Sequence, residues 1–182
     1  IFYHEDFQQW YYKNYTRITM DQKTHYPEAI QENVFRTLGQ AAEELGLPAY
    51  VIGGYVRDFF LKRGQKKDID VVAIGSGISL AQKVQGLLPQ STKVSVFKNY
   101  GTDMVKTDDL ELEFVGARKE SYDRNSRKPV VEDGTLEDDQ NRRDFTINAM
   151  AFSLNKNTFG ALLDPFDGMG DLHKKIIRTP LD

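Results

Sequence analysis

The sequence predicts an α+β domain with a mixed, mostly antiparallel sheet of about five strands and helices chiefly on one face. Three observations predict it. Apolar runs of strand length recur at Ala49 to Ile52, Asp68 to Ile74 and Leu110 to Val115, too short for helices of the usual size. An amphipathic stretch precedes the first of them, with apolar residues at Ile30, Val34, Leu38, Ala41, Ala42 and Leu45, the spacing of one helix face. Glycine and proline punctuate the boundaries, as at Gly46 and Pro48, where a helix stops and a strand begins.

The remaining elements follow in order. After Ala49 to Ile52 come Gly53 and Gly54, then a short helix from Tyr55 to Leu61 carrying Arg57 and Asp58. A polar turn leads to the second strand, Asp68 to Ile74, and a helix from Ile78 to Leu88 closes at Pro89. The Gly75-Ser76-Gly77 between them reads as a turn, not a phosphate loop. Val94 to Phe97 alternates as a strand, Asn99-Tyr100-Gly101 turns, and Asp103 to Lys106 returns antiparallel. In Leu110 to Val115, Leu110, Leu112 and Phe114 face one way while Glu111 and Glu113 face the other. Arg118 to Gly134 is polar, charged and broken by Pro129. It reads as a long loop, either a flexible solvated one or one whose five basic residues touch RNA or close over a nucleotide. Gly134 or Thr135 caps a helix with Glu137, Asp138 and Asp139 in its first turn. Arg142 and Arg143 continue that helix, and Asp144 to Phe152 runs on toward the core. Phe152 to Leu154 and Phe159 to Leu163 form a final hairpin, and a short helix follows.

Composition bounds what the chain is. Its 182 residues, 40% of them hydrophobic, suffice for one core, so one domain with extensions is expected. Cysteine is absent, which excludes disulfides and thiolate metal sites and fits a reducing compartment, with cytoplasm as the default. No apolar run is long enough to span a bilayer, so no membrane partner is expected. A formal charge of -3 gives no overall basic character, which leaves any RNA contact to local patches or to parts outside this sequence. Residues 1–19, aromatic-rich and without period, read as an extension or a cloning remnant, and Met20 reads as a natural initiator. His4 and His25 stand alone in polar contexts and carry no metal reading.

The chemistry concentrates in Val51 to Val72. Glycine at a strand end lets backbone approach a bulky anion, because no Cβ stands in the way. Asp68 and Asp70, two apart on a strand, project from one face. Paired carboxylates beside a phosphate cradle suit Mg²⁺, a hard cation that completes its shell with water and substrate phosphates. Two such ions about 3.5 to 4 Å apart could activate an attacking hydroxyl and steady a leaving pyrophosphate, whereas Asp68-Ile69-Asp70 taken alone reads as a solvated pair at the start of an edge strand.

Gly53-Gly54-Tyr55-Val56-Arg57-Asp58, followed by Lys67-Asp68-Ile69-Asp70-Val71 and by Arg142 to Phe152 (RRDFTINAMAF), resembles the two signatures of the DNA polymerase β-like nucleotidyltransferases. Within them it resembles the class of bacterial tRNA CCA-adding enzymes and poly(A) polymerases, from about Tyr50 to Thr179. The resemblance implies that residues 20–182 form the catalytic head domain, with the helical neck, body and tail lying outside this chain. It implies Asp68, Asp70 and Glu113 as catalytic metal ligands for two Mg²⁺, Glu113 because the family places an acid five residues before an arginine, here Arg118. Gly53, Gly54, Arg57 and Arg143 are implied to bind the nucleotide, with Asp144 and Asn148 fixing local geometry. Arg142 either binds phosphate too or pairs with the acidic turn. The implied partners are CTP, ATP and the 3′ end of tRNA or another RNA. CCA addition leads, A-only addition and poly(A) synthesis are the alternatives within the class, and a non-catalytic nucleotide- or RNA-binding module is the alternative outside it.

Overall fold

A computed structural model of the chain describes residues 24–64, 67–88, 102–106, 110–121 and 130–181. The expected strand at Val94 to Phe97, the proposed extension at 1–19 and three of the five basic residues of the long loop, Arg124, Arg127 and Lys128, lie outside them. A six-stranded sheet has the order β3-β4-β2-β1-β7-β8. Its strands are β1 (Ala49–Ile52), β2 (Asp68–Ala73), β3 (Thr102–Lys106), β4 (Glu111–Gly116), β7 (Ala151–Ser153) and β8 (Leu162–Leu163). Neighbours run antiparallel except β2 and β4, the one parallel pair among the described strands. A parallel pair needs a crossover, and helix α3 (Gly77–Leu87), capped by Ser76 Oγ accepting from the Ser79 amide at 3.1 Å, forms part of it.

Two faces of this sheet differ sharply. On one, Val51, Ile69, Val71, Leu112, Phe114 and Phe152 pack with Phe35 and Leu38 of helix α1 (Asn33–Leu45) and with Leu80 and Val84 of α3. Helix α2 (Gly54–Phe60) joins this core through Val56 and through Phe59 and Phe60, whose ring centroids each lie 5.8 Å from that of Phe152. The opposite face has a smaller apolar cluster, Tyr50, Ile52, Val72, Ala151 and Leu163, covered in part by Leu136 of helix α4 (Leu136–Asn141). Period-two alternation puts Asp68 and Asp70 on this second face with Val72, and Glu111 and Glu113 likewise. The acids therefore stand where the large helices do not.

The α+β expectation holds, with corrections. Among the described residues the sheet has six strands, in line with the about five expected, and the acids lie on interior strands β2 and β4. The amphipathic stretch from Ile30 to Leu45 falls in two elements. Pro27–Ile30 forms a single 3-10 turn, Glu32 is extended, and α1 starts only at Asn33. Its end is as read, with Gly46 at φ 65° and the Leu47 amide donating to the Ala42 carbonyl at 2.9 Å. The stretch read as one long loop contains a two-stranded antiparallel sheet, β5 (Arg118–Ser121) with β6 (Val130–Asp133). Its charged residues hid it, since they lack the apolar alternation that marks a strand in sequence. α4 ends at Asn141 instead of running on, and a 3-10 turn at Thr146–Asn148 precedes β7. Helix α5 (Gly168–Lys174) follows the last hairpin. No described helix is long and apolar enough to cross a membrane.

Candidate active site

β1 and β2 align Ile52 with Asp70, so the chain leaving β1 passes directly beside that carboxylate. Gly53 occupies the corner with φ 83° and ψ -136°, a conformation essentially confined to glycine. A Cβ built there would lie 3.1 Å from Asp70 Oδ2 and 3.5 Å from Arg143 Nη1. Asp70 in turn is the cross-strand partner of Glu113 through the parallel β2–β4 pairing. Both carboxylates line a cavity of about 510 Å³ together with Gly53, Gly54, Arg57, Val115, Arg142, Arg143, Asp144 and Asn148. Of the eight residues singled out from the sequence, seven meet there. Asp68, two residues before Asp70 on the same face, pairs across to Glu111, is exposed, and stands outside the cavity lining.

The arginines are held from behind. Arg57 donates through Nε to its neighbour Asp58 at 2.8 Å and through Nη1 to Asn148 Oδ1 at 2.8 Å. Asp58, buried, is thus the tether for Arg57. Asn148 also donates through Nδ2 to Asp144 Oδ1 at 3.0 Å, and the same oxygen accepts from the Phe145 amide at 2.8 Å. The second signature therefore folds onto the first. Arg142 and Arg143 both pair with Asp139, at 3.2 Å and 2.9 Å, and Arg143 Nη1 also lies 3.7 Å from Asp70 Oδ2. Glu111 pairs with Lys106 on the neighbouring strand, the role of an ordinary strand residue.

Sequence reasoning missed two supports. Asp139, taken only as a first-turn acid complementing the helix dipole, is fully buried. Its place three and four residues before two arginines was the available signal. Gln140, also buried, donates to the Ala149 carbonyl at 2.7 Å and draws the chain back after α4. Below the site, Asp171 accepts from Thr146 Oγ1 at 2.6 Å and from Arg178 Nε at 3.0 Å, and the Thr146 amide donates to the Arg178 carbonyl at 2.9 Å. That network clamps the turn carrying Asn148. The Thr146 hydroxyl first, then Arg178, holds the Asp171 carboxyl below its ordinary value.

Among the described residues no group of three or more His, Cys, Asp or Glu side chains converges to form a closed metal cage. The donor set is all carboxylate, two acids opposite each other beside a corner that a Cβ would fill. That fits a hard divalent cation sharing its shell with water and phosphate oxygens, not one enclosed by protein.

A mixed sheet with paired acids on its open face and an arginine-rich wall defines a polymerase β-like nucleotidyltransferase fold. The chain belongs to the poly A polymerase head domain family, whose model matches residues 49–178. It is 43% identical over 133 residues to the A-adding tRNA nucleotidyltransferase of Aquifex aeolicus, a match covering 73% of this chain and 16% of that protein. Its fold is similar to an apo CCA-adding enzyme, with TM-score 0.74 and 34% identity, covering 86% of this chain and 38% of that one. It is also similar to a tRNA nucleotidyltransferase solved with a primer tRNA and an incoming ATP analog, with TM-score 0.65 and 40% identity over 79% of this chain and 38% of that one. The chain thus spans well under half the length of these relatives.

Proposed function

We propose that the protein is a template-independent nucleotidyltransferase adding AMP, or CMP and AMP, from ATP and CTP to the 3′ end of tRNA. The observation that carries this reading is the Asp70–Glu113 pair on adjacent parallel strands, facing Arg57, Arg142 and Arg143 across one cavity cornered by Gly53. The similarity to an A-adding enzyme supports AMP addition, and the similarity to a CCA-adding enzyme supports both nucleotides.

Asp70 and Glu113 would hold divalent metal, two Mg²⁺ in this reading, with Asp68 joining from the same face of β2. When bound, Mg²⁺ lowers the pKa of the attacking 3′-hydroxyl and offsets charge on the leaving pyrophosphate. Arg57, Arg143 and Arg142 bind the triphosphate as charge-assisted donors. Asn148 and Asp58 fix the plane of the Arg57 guanidinium, and Gly53 admits a phosphate to the backbone. The nucleophile is the RNA hydroxyl, so no side-chain nucleophile is required and the lack of cysteine costs nothing.

Incubation with tRNA ending before CCA and with tRNA ending in CC, supplying CTP and ATP separately with Mg²⁺, tests this. Incorporation by the wild type and its loss in Asp70→Asn are expected. A alone, added only to the CC end, supports A-addition, and C followed by A supports CCA addition. Nucleotide binding without pyrophosphate release from any RNA would replace this reading with a binding module.

A further inference from the structure

We propose that Asp139 is a positioning residue that sets which edge of Arg143 meets a bound triphosphate and keeps that arginine off Asp70. The ligand in this statement rests on the nucleotidyl-transfer reading, while the positioning rests on geometry alone. Asp139 is 0% exposed. Its Oδ1 accepts from Arg142 Nε at 3.2 Å, and its Oδ2 accepts from Arg143 Nε at 3.1 Å and Nη2 at 2.9 Å. Leaving a buried carboxylate without partners of this kind is costly.

A guanidinium is planar, with its donors in a rigid fork. Committing the Nε and Nη2 edge of Arg143 to Asp139 leaves Nη1 on the cavity side. There it lies 3.7 Å from Asp70 Oδ2 and 3.5 Å from where a Gly53 Cβ would stand. Arg143 therefore sits between two carboxylates, hydrogen-bonded to the buried one and separated by nearly an ångström more from the one that faces the cavity. The buried charge is the less screened and the stronger holder. Remove it, and Asp70 becomes the nearest anion. Attraction rises as separation falls, so the guanidinium closes onto the oxygen that a divalent cation has to use. One carboxylate against two arginines also leaves a net positive charge on this wall of the cavity. The sequence order encodes the arrangement, since positions three and four after a helical aspartate both return to its side of the helix.

The test compares wild type, Asp139→Asn, Arg143→Lys and the double variant. Equilibrium titration gives the affinity for ATP and CTP and the Mg²⁺ concentration at half-saturation, and ¹⁵N NMR follows the Arg143 Nε–H resonance. In Asp139→Asn, nucleotide binding is expected to weaken roughly tenfold or more and the Mg²⁺ requirement to rise. The Nε–H signal is expected to shift and lose its protection from exchange. In the Arg143→Lys background the same change is expected to add little, because it acts through that arginine. Asp139→Glu, which keeps the charge, is expected to recover most of the affinity. It is also the fallback if Asp139→Asn does not fold, since its longer side chain still shifts the Arg143 resonance. Additive effects with an unchanged Mg²⁺ requirement overturn the proposal, as does an unperturbed Nε–H signal in either variant. If the wild type binds neither nucleotide, the nucleotidyl-transfer reading falls, and the Arg143 resonance alone decides the positioning.

Discussion

Gly53→Ala separates the backbone cost of the corner from its cost to the site. At φ 83° and ψ -136° a residue with a Cβ is strained by about 1–3 kcal/mol. For a domain of this size each kcal/mol lowers Tm by about 2–4 °C, so a drop of about 2 to 12 °C is expected. The added methyl also meets Asp70 Oδ2 at 3.1 Å, a few tenths of an ångström inside ordinary contact, and pushes at the carboxylate that pairs across to Glu113. Misplacing reacting groups by about 1 Å costs on the order of a hundredfold in rate. A smaller displacement is expected to lower kcat/KM for nucleotide incorporation about tenfold or more. Gly46→Ala is the control. Gly46 also has positive φ, 65°, but nothing lies within 4 Å of an added Cβ. It should lose stability by about 1–2 kcal/mol and keep wild-type kcat/KM. Calorimetry and single-nucleotide incorporation read the two effects separately. A Gly53→Ala protein that melts early yet incorporates nucleotide as fast as Gly46→Ala would refute the claim that the close approach matters.

Two more predictions follow from hydrogen bonds at and below the cavity. Asn148→Ala removes the acceptor for Arg57 Nη1 and the donor to Asp144. A hydrogen bond to a charged group is worth about 1.5–3 kcal/mol, so KM for the nucleotide is expected to rise about tenfold or more with a smaller change in kcat, and an unchanged KM would exclude the tether. Asp171 concerns pH. Its carboxyl is held low in the folded state, so its contribution is present above the unfolded value, about 3.9, and is lost as pH falls through the folded value. The stability difference between wild type and Asp171→Asn, followed by urea unfolding, should stay level from pH 7 to about 5 and shrink below about 4. A difference that stays level to pH 3 would contradict the assignment.

The strands and the glycine corner were legible because each is written in a short local code. Val51 and Ile52 before Gly53, and alternation through Asp68, Asp70, Glu111 and Glu113, specify a strand and a face without knowledge of neighbours. The pairing that sets Asp70 against Glu113 is not local. It depends on β2 and β4 running parallel, and the choice of Glu113 over Glu111 came from resemblance, not from alternation, which treats them alike. Other features were hidden because polar residues were read as solvated. Asp139 and Gln140 look like exposed helix positions, yet both are buried, and their bonds to Arg142, Arg143 and the Ala149 carbonyl form only in the fold. Asp171, Thr146 and Arg178 likewise meet only in three dimensions.

The parallel pairing of β2 with β4 also bears on how the molecule forms. Its two acids come from segments separated by a helix and another strand, so neither a nascent hairpin nor a collapsed intermediate with local contacts alone can bring them face to face. Contacts so distant along the chain are slow to form, because loop closure must be completed before they reward it. If the proposed function holds, metal affinity should therefore appear late in refolding, together with the last cooperative step, and a time course of cation uptake would serve as a clock for completion of the sheet.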